Sequence, residues 1–272
     1  MAINLFDLSN KKIVFSGATG VLGKAMSLHL ASQGAELLIL GRNATKINEL
    51  LHEIKKQGGT ASGYTCDVTD WNNVCQATEK IKSQHQSIDV LINAAGGNMP
   101  GAVVRPDQNF LDLDLASLRQ VMDLNYMGTV LPIKAFLPLM LENKKGNILN
   151  ISSMAATRPM TRVMGYASAK AAIDNMTKWL AVELATKHGP QFRVNAIAPG
   201  FFLTEQNRTL LTEEDGSLTK RGNQIITHTP MSRFGKPEDL LGTLQWLCSD
   251  ASNFVTGTIV EVDGGFSAYS GV

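Results

Sequence analysis

Short apolar runs alternate along almost the whole chain with longer stretches whose apolar residues recur at helical spacing. Runs of roughly four to eight apolar residues are typical of buried strands, and the longer periodic stretches are typical of amphipathic helices. The pattern predicts strands at Lys12–Phe15, Glu36–Leu40, Ser62–Cys66, Asp89–Ile92, Asn147–Ile151, Phe192–Ile197 and Thr258–Val262. It predicts helices at Val21–Gln33, Ala44–Lys56, Trp71–His85, Leu115–Leu141 (with a kink near Pro132), Met164–Lys187 and Pro237–Cys248.

Near-continuous apolar strands separated by helices are typical of a parallel sheet that is covered on both faces. We therefore expect an α/β fold, a doubly wound and mostly parallel seven-stranded sheet in a single domain that spans residues 1–272. Residues 200–236 are the least regular region and are rich in Thr, Asn, Glu and Gly. Long insertions in compact domains usually carry function, so we interpret this one as a substrate-binding loop or lid, with a disordered surface loop as the alternative.

The charge of the chain is nearly balanced, with 25 Lys and Arg against 24 Asp and Glu. A nucleic-acid-binding protein usually shows a basic excess or stripe, so neither nucleic acid nor an anionic membrane is an expected partner. The longest stretch without a charged residue is Val90–Val104, which glycines and a proline interrupt. It is shorter than the ~20 apolar residues that a membrane-spanning helix needs. The N-terminal residues also lack the basic start and long apolar run of a signal peptide.

Three cysteines, Cys66, Cys75 and Cys248, occur without regular spacing. An odd number of irregularly spaced cysteines argues against a disulfide scaffold and favours reduced thiols in a cytoplasmic protein, with a catalytic cysteine as the less favoured alternative. The histidines are far apart, and none is paired with a cysteine at zinc-binding spacing. No metal site is therefore expected.

A glycine-rich turn connects the first predicted strand to the first predicted helix, with the sequence Ser16-Gly17-Ala18-Thr19-Gly20-Val21-Leu22-Gly23. Small residues permit a sharp turn and let the backbone approach a pyrophosphate, and the N-terminus of the following helix supplies unpaired N–H groups. The position of the turn between strand and helix favours a dinucleotide-binding turn over an ordinary connection.

The second predicted strand ends in Leu40-Gly41-Arg42-Asn43, without the acidic residue that usually binds the adenosine ribose in NAD enzymes. Arg42 could pair with a 2′-phosphate, which slightly favours NADP and leaves NAD open. The alternative is that Arg42 is an exposed arginine near the start of a helix.

Tyr166 and Lys170 lie four residues apart at the start of a predicted helix, so their side chains share one face. Ser153 follows the strand Asn147–Ile151. A free tyrosine has a pKa of ~10, and a nearby ammonium would lower that pKa by stabilising the phenolate. A Ser, a Tyr and a Lys beside a nicotinamide could therefore carry out acid–base chemistry at a carbinol carbon.

Taken together, these motifs resemble the short-chain dehydrogenase/reductase family, and the resemblance extends from Lys12 to Gly265. Ser153 precedes Tyr166 by thirteen residues, which is the usual separation in that family. Further markers are the turn Ser16–Gly23, Cys66-Asp67-Val68, Asn93-Ala94-Ala95-Gly96, Leu124-Asn125-Tyr126, Lys170 and Pro199-Gly200. The turn departs from the family pattern because Val21 stands where glycine is common. A basic residue that often helps to bind NADP is also absent, which weakens the preference for NADP.

The resemblance implies a single NAD(P)-binding Rossmann domain with the catalytic residues Asn125, Ser153, Tyr166 and Lys170. Tyr166 would be the general acid/base, Lys170 would lower its pKa and bind the nicotinamide ribose, and Ser153 would hydrogen-bond the reacting oxygen. Asn125 would hold a water molecule that links Lys170 to solvent. The cofactor-binding residues would be Gly17, Thr19, Gly20, Val21, Leu22, Gly23, Arg42, Asn43, Asp67, Val68, Asn93, Ala94, Ala95, Gly96, Tyr166, Lys170, Pro199, Gly200 and Thr204.

Four less typical segments, Gly96–Pro100, Thr157–Arg162, Phe201–Arg208 and Asp263–Val272, resemble the mannonate oxidoreductase branch of the family, which interconverts D-mannonate and D-fructuronate. A guanidinium can bind a carboxylate bidentately, and amide side chains can bind sugar hydroxyls. The expected substrate-binding residues are Asn98, Ser153, Arg158, Arg162, Gln206 and Asn207. The alternative for each arginine is a place on the surface or at a subunit interface.

Other activities stay open: a gluconate 5-dehydrogenase-like enzyme, another polyol or ketone reductase, a 3-oxoacyl reductase, or a non-catalytic regulator that senses dinucleotide. The resemblance also implies a homotetramer, formed through the helix before Asn147 and the helix that carries Tyr166. The apolar positions Ile173, Met176, Leu180 and Leu184 on the latter helix suit either the core or such an interface.

Overall fold

The computed structural model describes residues 4–204 and 207–271. The strands in these residues are β1 (Lys12–Ser16), β2 (Glu36–Gly41), β3 (Thr60–Thr65), β4 (Val90–Asn93), β5 (Gly146–Ile151), β6 (Phe192–Pro199) and β7 (Ile259–Val262). The α-helices are α1 (Val21–Ser32), α2 (Ala44–Lys56), α3 (Trp71–His85), α4 (Leu115–Met122), α5 (Gly128–Glu142), α6 (Met164–His188), α7 (Arg208–Leu211), α8 (Lys220–Thr227) and α9 (Leu241–Cys248).

The strands form one seven-stranded sheet in the order β3-β2-β1-β4-β5-β6-β7. Every pair of neighbours is parallel. The direction of winding reverses between β1 and β4, whose last residues Ser16 and Asn93 lie side by side. In sheets of this kind, ligands bind outside the carboxyl ends of the strands at the point of reversal. The topology therefore places the candidate site beside the turns that follow β1 and β4.

Two apolar cores cover the two faces of the sheet. Helices α1, α2 and α9 pack on one face through side chains such as Leu30, Leu50 and Leu244. Helices α3, α5 and α6 pack on the other face, where Phe136 and Leu184 are among the buried residues. The predicted doubly wound α/β domain is confirmed.

Local capping signals explain why α2 and α3 begin where the sequence predicts. The side chain of Asn43 accepts a hydrogen bond from the backbone N–H of Lys46 at 3.0 Å, and that of Asp70 accepts one from Asn73 at 2.9 Å. Such caps satisfy N–H groups that have no partner in the first turn of a helix. Other boundaries shift slightly: β3 begins at Thr60, and a short 3₁₀ turn precedes α9.

The fourth predicted helix is continuous but contains a π-helical turn at Asp123–Met127, between α4 and α5, whereas the sequence predicts a kink near Pro132. A proline clashes with the carbonyl four residues before it, which for Pro132 is that of Gly128. Because Gly128 directly follows the π turn, the deviation lies N-terminal to the proline. This turn carries Asn125.

The helical stretch Leu115–Glu142 has 28 residues and a mean hydropathy of 1.3 in its most apolar window. By length and composition alone it is apolar enough to cross a membrane, although charged residues interrupt it. Its side chains Phe136, Leu139 and Met140 are, however, buried in the core on the face of the sheet that α3, α5 and α6 cover. The stretch is therefore a core helix.

The two ends of the 200–236 segment are hydrogen-bonded to each other. The N–H of Gly235 donates to the carbonyl of Phe201 at 2.8 Å, and the N–H of Leu203 donates to Gly235 at 3.0 Å. The described part contains α7 and α8, which pack against each other, so the interpretation as a wholly disordered loop is wrong. The closed base places α8 near the carboxyl end of β6.

Candidate active site

A cleft runs across the carboxyl ends of the strands at the point of reversal. It consists of two adjoining cavities of about 230 Å³ and about 350 Å³. Gly17, Gly20, Ala94 and Gly96 line both cavities. The smaller extends towards the ends of β2 and β3, and the larger extends to the start of α6. The two together form an elongated site, as a dinucleotide requires.

The turn after β1 brings the backbone close to the cleft. Gly17 has φ +80°, and a Cβ on it would lie 2.5 Å from the backbone nitrogen of Ala95, so a side chain does not fit there. The N-cap residue of α1 is Gly20, which has no side chain that could bind the free N–H groups at the start of this helix. The first turn of α1 also carries no acidic residue. The N–H groups of this helix N-terminus therefore suit an anion, and the turn fits the pyrophosphate of a dinucleotide.

Arg42, Asp67 and Val68 line the far end of the smaller cavity. Arg42 is exposed, whereas Asp67 is half-buried and accepts hydrogen bonds from the N–H and hydroxyl of Thr69 at 2.9 and 2.7 Å. A cation at this end could contact the 2′ position of an adenosine ribose.

Most of the predicted cofactor-binding residues line the two cavities: Gly17, Thr19, Gly20, Val21, Leu22, Gly23, Arg42, Asp67, Val68, Ala94, Ala95, Gly96, Tyr166, Lys170, Pro199, Gly200 and Thr204. Asn43 and Asn93 are not among the lining residues. Asn43 caps α2, as described above. Asn93 is buried, and its amide donates to Asn150 at 3.0 Å, which in turn donates to Thr177 at 2.9 Å. Asn93 therefore joins β4 to β5 and α6 beneath the cleft.

Ser153, Tyr166 and Lys170 meet in the larger cavity. Ser153 follows β5, and the other two lie in the first two turns of α6. The ammonium of Lys170 donates to the carbonyl of Ile151 at 2.7 Å and lies 5.6 Å from the centre of the Tyr166 ring. This grouping brings a hydroxyl, a phenol and a cation to one wall of the cleft.

The pKa of Tyr166 shifts in the direction opposite to the one expected from the sequence. Burial raises the pKa of Tyr166, and a hydrogen bond with Ser153 only partly opposes that rise. Burial lowers the pKa of Lys170 to about 8, although the negative charge of Asp174 acts in the opposite direction and raises it. The expected lowering of the Tyr166 pKa by Lys170 is not seen in the chain itself, because desolvation dominates and the ammonium binds the Ile151 carbonyl.

Asn125 lies fully buried in the π turn next to this wall. Its Nδ2 donates to the carbonyls of Gly97 and Val121 at 2.7 and 2.8 Å. A Cβ placed on Gly96 would lie 2.6 Å from Asn125 Oδ1 and 3.3 Å from Lys170 Nζ, so both atoms flank that glycine. The structure thus brings Asn125 to the neighbourhood of Lys170, as the resemblance implies.

A further cavity of about 360 Å³ shares Ser153 and Tyr166 with the larger cavity of the cleft. We call it the substrate cavity. It is lined by Gly97, Asn98, Ser153, Met154, Ala155, Met160, Val163, Tyr166, Gly200, Phe201 and Arg221. Its volume lies in the range of roughly 300–1,000 Å³ that small-molecule sites occupy.

Of the predicted substrate-binding residues, Asn98 and Ser153 line the substrate cavity. Arg158 instead donates from Nε to the backbone carbonyl of Ser267 at 2.9 Å, and its Nη2 contacts the same oxygen. The amide of Asn207 accepts from Thr204 N–H at 2.8 Å and donates to the Phe202 carbonyl at 2.8 Å. Arg162 is exposed on the segment between Met160 and Val163.

Another residue of that predicted set, Gln206, lies outside the described residues.

Comparison with known proteins identifies the group to which this arrangement belongs. A family model described as enoyl-(acyl carrier protein) reductase matches residues 17–267. An uncharacterized oxidoreductase of Bacillus subtilis (strain 168), UxuB, is 46% identical over 275 residues, covering 98% of each chain. The chain belongs to the short-chain dehydrogenase/reductase family.

Two solved structures of this family are similar over nearly their whole length. A Haemophilus influenzae protein, provisionally named a D-mannonate oxidoreductase and solved with bound NAD, has a TM-score of 0.92 and 42% identity, covering 98% of each chain. A Beutenbergia cavernae protein, provisionally named an NAD(P)-dependent gluconate 5-dehydrogenase, contains NADP at low occupancy. Its TM-score is 0.85 and its identity 30%, over 97% of this chain and 100% of that one. The present chain is accordingly an oxidoreductase of the alcohol/ketone type.

One charged residue that lines the substrate cavity of this short-chain dehydrogenase/reductase was not predicted. Arg221 is half-buried in the first turn of α8, where Thr219 caps the helix by accepting from Gly222 N–H at 3.0 Å. The only sequence signal was its place in residues 200–236, because no local pattern shows that this turn folds over Ser153.

Two of the three cysteines lie in buried environments that suppress thiolate chemistry. Cys66, Cys75 and Cys248 are all free. Burial raises the pKa of Cys66 to about 11 and that of Cys248 to about 12, so both are protonated at neutral pH and are poor nucleophiles. Over residues 4–204 and 207–271, no three His, Cys, Asp or Glu side chains are grouped as metal ligands.

Proposed function

We propose that this protein is an NAD(P)-dependent oxidoreductase that transfers a hydride between the nicotinamide and a secondary alcohol or ketone of a sugar acid, with D-mannonate and D-fructuronate as the pair. The observation that carries this proposal is that Ser153 and Tyr166 line both the cofactor cleft and the substrate cavity. A carbinol in the second cavity would therefore meet the acid–base group at the wall that it shares with the cleft.

Tyr166, Ser153 and Lys170 would each have a separate role in the proton transfer. The nicotinamide ring supplies the hydride acceptor or donor. During oxidation, Tyr166 accepts the hydroxyl proton through its phenolic oxygen, and Ser153 donates a hydrogen bond to the reacting oxygen. Lys170, which in the chain itself binds the Ile151 carbonyl, would bind the nicotinamide ribose, and its positive charge would then oppose the burial that raises the pKa of Tyr166. Reduction uses the same groups in reverse, with Tyr166 as proton donor.

The choice of a sugar acid has two supports. Among apolar side chains such as Met154, Met160 and Phe201, the substrate cavity has polar groups of Asn98 and Ser153 and the cation of Arg221, which can bind hydroxyls and a carboxylate. The Haemophilus protein at 42% identity is named for mannonate. The gluconate 5-dehydrogenase name of the second structure makes that activity the competing candidate.

A direct assay at a wavelength of about 340 nm, where reduced nicotinamide absorbs, tests the reaction. Purified protein is offered D-fructuronate with NADH and, separately, with NADPH, while 5-ketogluconate and an acetoacetyl thioester run beside it. We expect the highest kcat/KM with D-fructuronate. A higher value with 5-ketogluconate or with the thioester would replace the proposed substrate while keeping the reaction type.

We propose NADP as the slightly favoured cofactor, because Arg42 lines the adenosine end of the cleft and no acidic residue follows β2. Replacing Arg42 with Ala should raise KM for NADPH about tenfold, since a charge-assisted contact with a phosphate is lost, and should leave KM for NADH within about twofold. An equal change in KM for NADPH and for NADH would show that Arg42 does not bind the 2′-phosphate.

The sequence hypothesis for the arginines before α6 is tested by Arg158→Ala and Arg162→Ala. Each should raise KM for an anionic substrate if its guanidinium binds the carboxylate. Because Arg158 already donates to Ser267, its replacement should also loosen the C-terminal tail and lower the free energy of unfolding by about 1 kcal/mol. Wild-type kinetics in both variants would refute the hypothesis that Arg158 and Arg162 bind the carboxylate of the substrate.

We further propose a cytoplasmic homotetramer. Ile173, Leu180 and Leu184 are buried in the core, so these positions do not form an interface. Trp179 and Val182 on α6 are exposed by 61% and 65%, and their apolar surface is available to a second copy. Light scattering should give four times the chain mass of 29.4 kDa, and a stable monomer would contradict the assembly.

A further inference from the structure

Arg221 and the reacting groups lie on different elements around one cavity. Ser153 and Tyr166 belong to the wall formed by the end of β5 and the start of α6, whereas Arg221 comes from α8 of the 200–236 segment. A small substrate in this cavity would meet the proton-transferring groups on one side and a guanidinium on another. The cavity therefore has separate places for a reacting carbon and for an anionic group.

A second guanidinium acts on the same region. Burial lowers the pKa of Arg221, and repulsion by the positive charge of Arg162 lowers it further. Arg162 lies between Met160 and Val163, which both line the cavity. An anion placed near both cations would relieve this repulsion and compensate the burial of Arg221.

The backbone at both arginines is held by contacts with other parts of the chain. Arg162 has φ +75°, and its carbonyl accepts a hydrogen bond from Val104 N–H at 3.0 Å. Helix α8 is capped by Thr219, and a side chain on Gly222 would overlap the Leu211 carbonyl, so α8 packs tightly against α7. The backbone at Arg221 is therefore held by a helix cap and by packing against α7, which reduces the entropy lost when the side chain binds a ligand.

We propose that Arg221, with Arg162 beside it, binds the carboxylate of the substrate and makes the enzyme selective for sugar acids over neutral polyols. This inference rests on the proposed function and assigns its specificity to named residues. It also changes the sequence hypothesis: the partner of Arg162 is Arg221 from the 200–236 segment rather than Arg158, whose N–H groups are directed to Ser267. The 200–236 segment then acts as a specificity element.

Equilibrium binding tests the proposal without depending on turnover. D-mannonate and NADH are both reduced, so they cannot react with each other, and calorimetry with saturating NADH measures the affinity of the binary complex for the acid. D-mannitol, which carries an alcohol in place of the carboxylate, measures the affinity for the neutral polyol. The variants are Arg221→Met, Arg221→Lys and, as a control that removes a neighbouring exposed charge, Lys220→Met.

We expect the wild type to prefer D-mannonate over D-mannitol at least tenfold, and Arg221→Met to lose about tenfold to a hundredfold in affinity for the acid alone. Arg221→Lys should keep part of the preference, and Lys220→Met should keep nearly all of it. Unchanged NADH affinity and thermal midpoint would show that the variants are folded. Arg221→Met with the wild-type preference, or a wild type with no preference, would overturn the proposal.

The same measurements separate this inference from the proposed reaction. A wild type that binds D-mannonate through Arg221 but oxidises it with neither NAD nor NADP would retain the carboxylate site and refute the reaction. Oxidation of D-mannonate by Arg221→Met with an unchanged KM would retain the reaction and refute the site.

Discussion

The side chain of Asn125 and the backbone of Gly97 bind each other through two hydrogen bonds. Oδ1 accepts from the Gly97 N–H at 3.1 Å, and Nδ2 donates to the Gly97 carbonyl at 2.7 Å. The π turn in the middle of a long helix is thereby tied to the loop after β4, which lines the cofactor cleft and the substrate cavity. Departures from α-helical geometry of this kind are frequent at functional sites.

Replacing Asn125 with Ala should therefore damage both stability and catalysis. The change leaves backbone groups of the half-buried Gly97 and the buried Val121 without their partner, so the free energy of unfolding should fall by about 2 kcal/mol. The loop should also lose its fixed position beside Lys170, so kcat should fall more than the affinity for NADH. Urea unfolding and steady-state kinetics measure the two effects. Asn98→Ala is the stability control, because Asn98 is exposed, and equal unfolding midpoints for both variants would contradict the role given to Asn125.

Replacing Tyr166 with Phe tests whether the protein is a catalyst. The phenolic oxygen is the only part removed, so the variant should keep the cleft and bind NADH with an affinity within about twofold of wild type. Turnover should fall by roughly a hundredfold to ten-thousandfold, which is the usual contribution of a general acid or base. A regulator that only senses dinucleotide would be indifferent to this change. A variant with wild-type kcat would show that Tyr166 does not transfer the proton.

The pH dependence of the two directions should differ, because they need opposite protonation states of Tyr166. Its pKa is raised by burial, so the phenol that donates a proton during reduction predominates at neutral pH. The phenolate that accepts a proton during oxidation becomes populated only as the pH rises. With saturating substrates, kcat for oxidation should increase from about pH 6 to about pH 9, whereas kcat for reduction should stay level near neutrality and fall at alkaline pH. Parallel profiles in both directions would contradict this assignment.

The fold follows from signals that are local in the chain. The central strands are predicted within two residues because their apolar runs must be buried on both faces of a parallel sheet. Asn43 and Asp70 cap α2 and α3 through backbone N–H groups only three residues away, so the starts of these helices are visible without tertiary contacts. The spacing of Tyr166 and Lys170 likewise needs only helical geometry to place them together.

The substrate side of the site depends on contacts that are distant in sequence. Arg158 lies in the predicted segment, but its partner Ser267 is 109 residues away, and no local pattern shows that the tail returns to it. Asn93 belongs to a recognisable motif, yet its amide is turned inward to Asn150. Arg221 reaches the substrate cavity only because the 200–236 segment closes at Phe201 and Gly235. These positions are set by packing, which periodicity and spacing do not encode.

Replacing Gly17 with Ala should separate the ends of β1 and β4 at the cofactor cleft. Gly17 has φ +80°, where a side chain is strained by roughly 1–2 kcal/mol, and a Cβ would lie 2.5 Å from the backbone nitrogen of Ala95. Backbone atoms cannot rotate away as a flexible side chain can, so we expect a lower urea midpoint and at least tenfold weaker NADH binding.

Gly242→Ala is the matched control for this glycine-to-alanine change. Gly242 lies in α9, and a Cβ on it would meet no heavy atom within 4 Å. Alanine favours a helix interior over glycine by about 0.5–1 kcal/mol, so this variant should unfold at the wild-type urea concentration or higher and should bind NADH normally. If Gly17→Ala matched the control in both measurements, the close approach of the turn to Ala95 would not be what shapes the cofactor cleft.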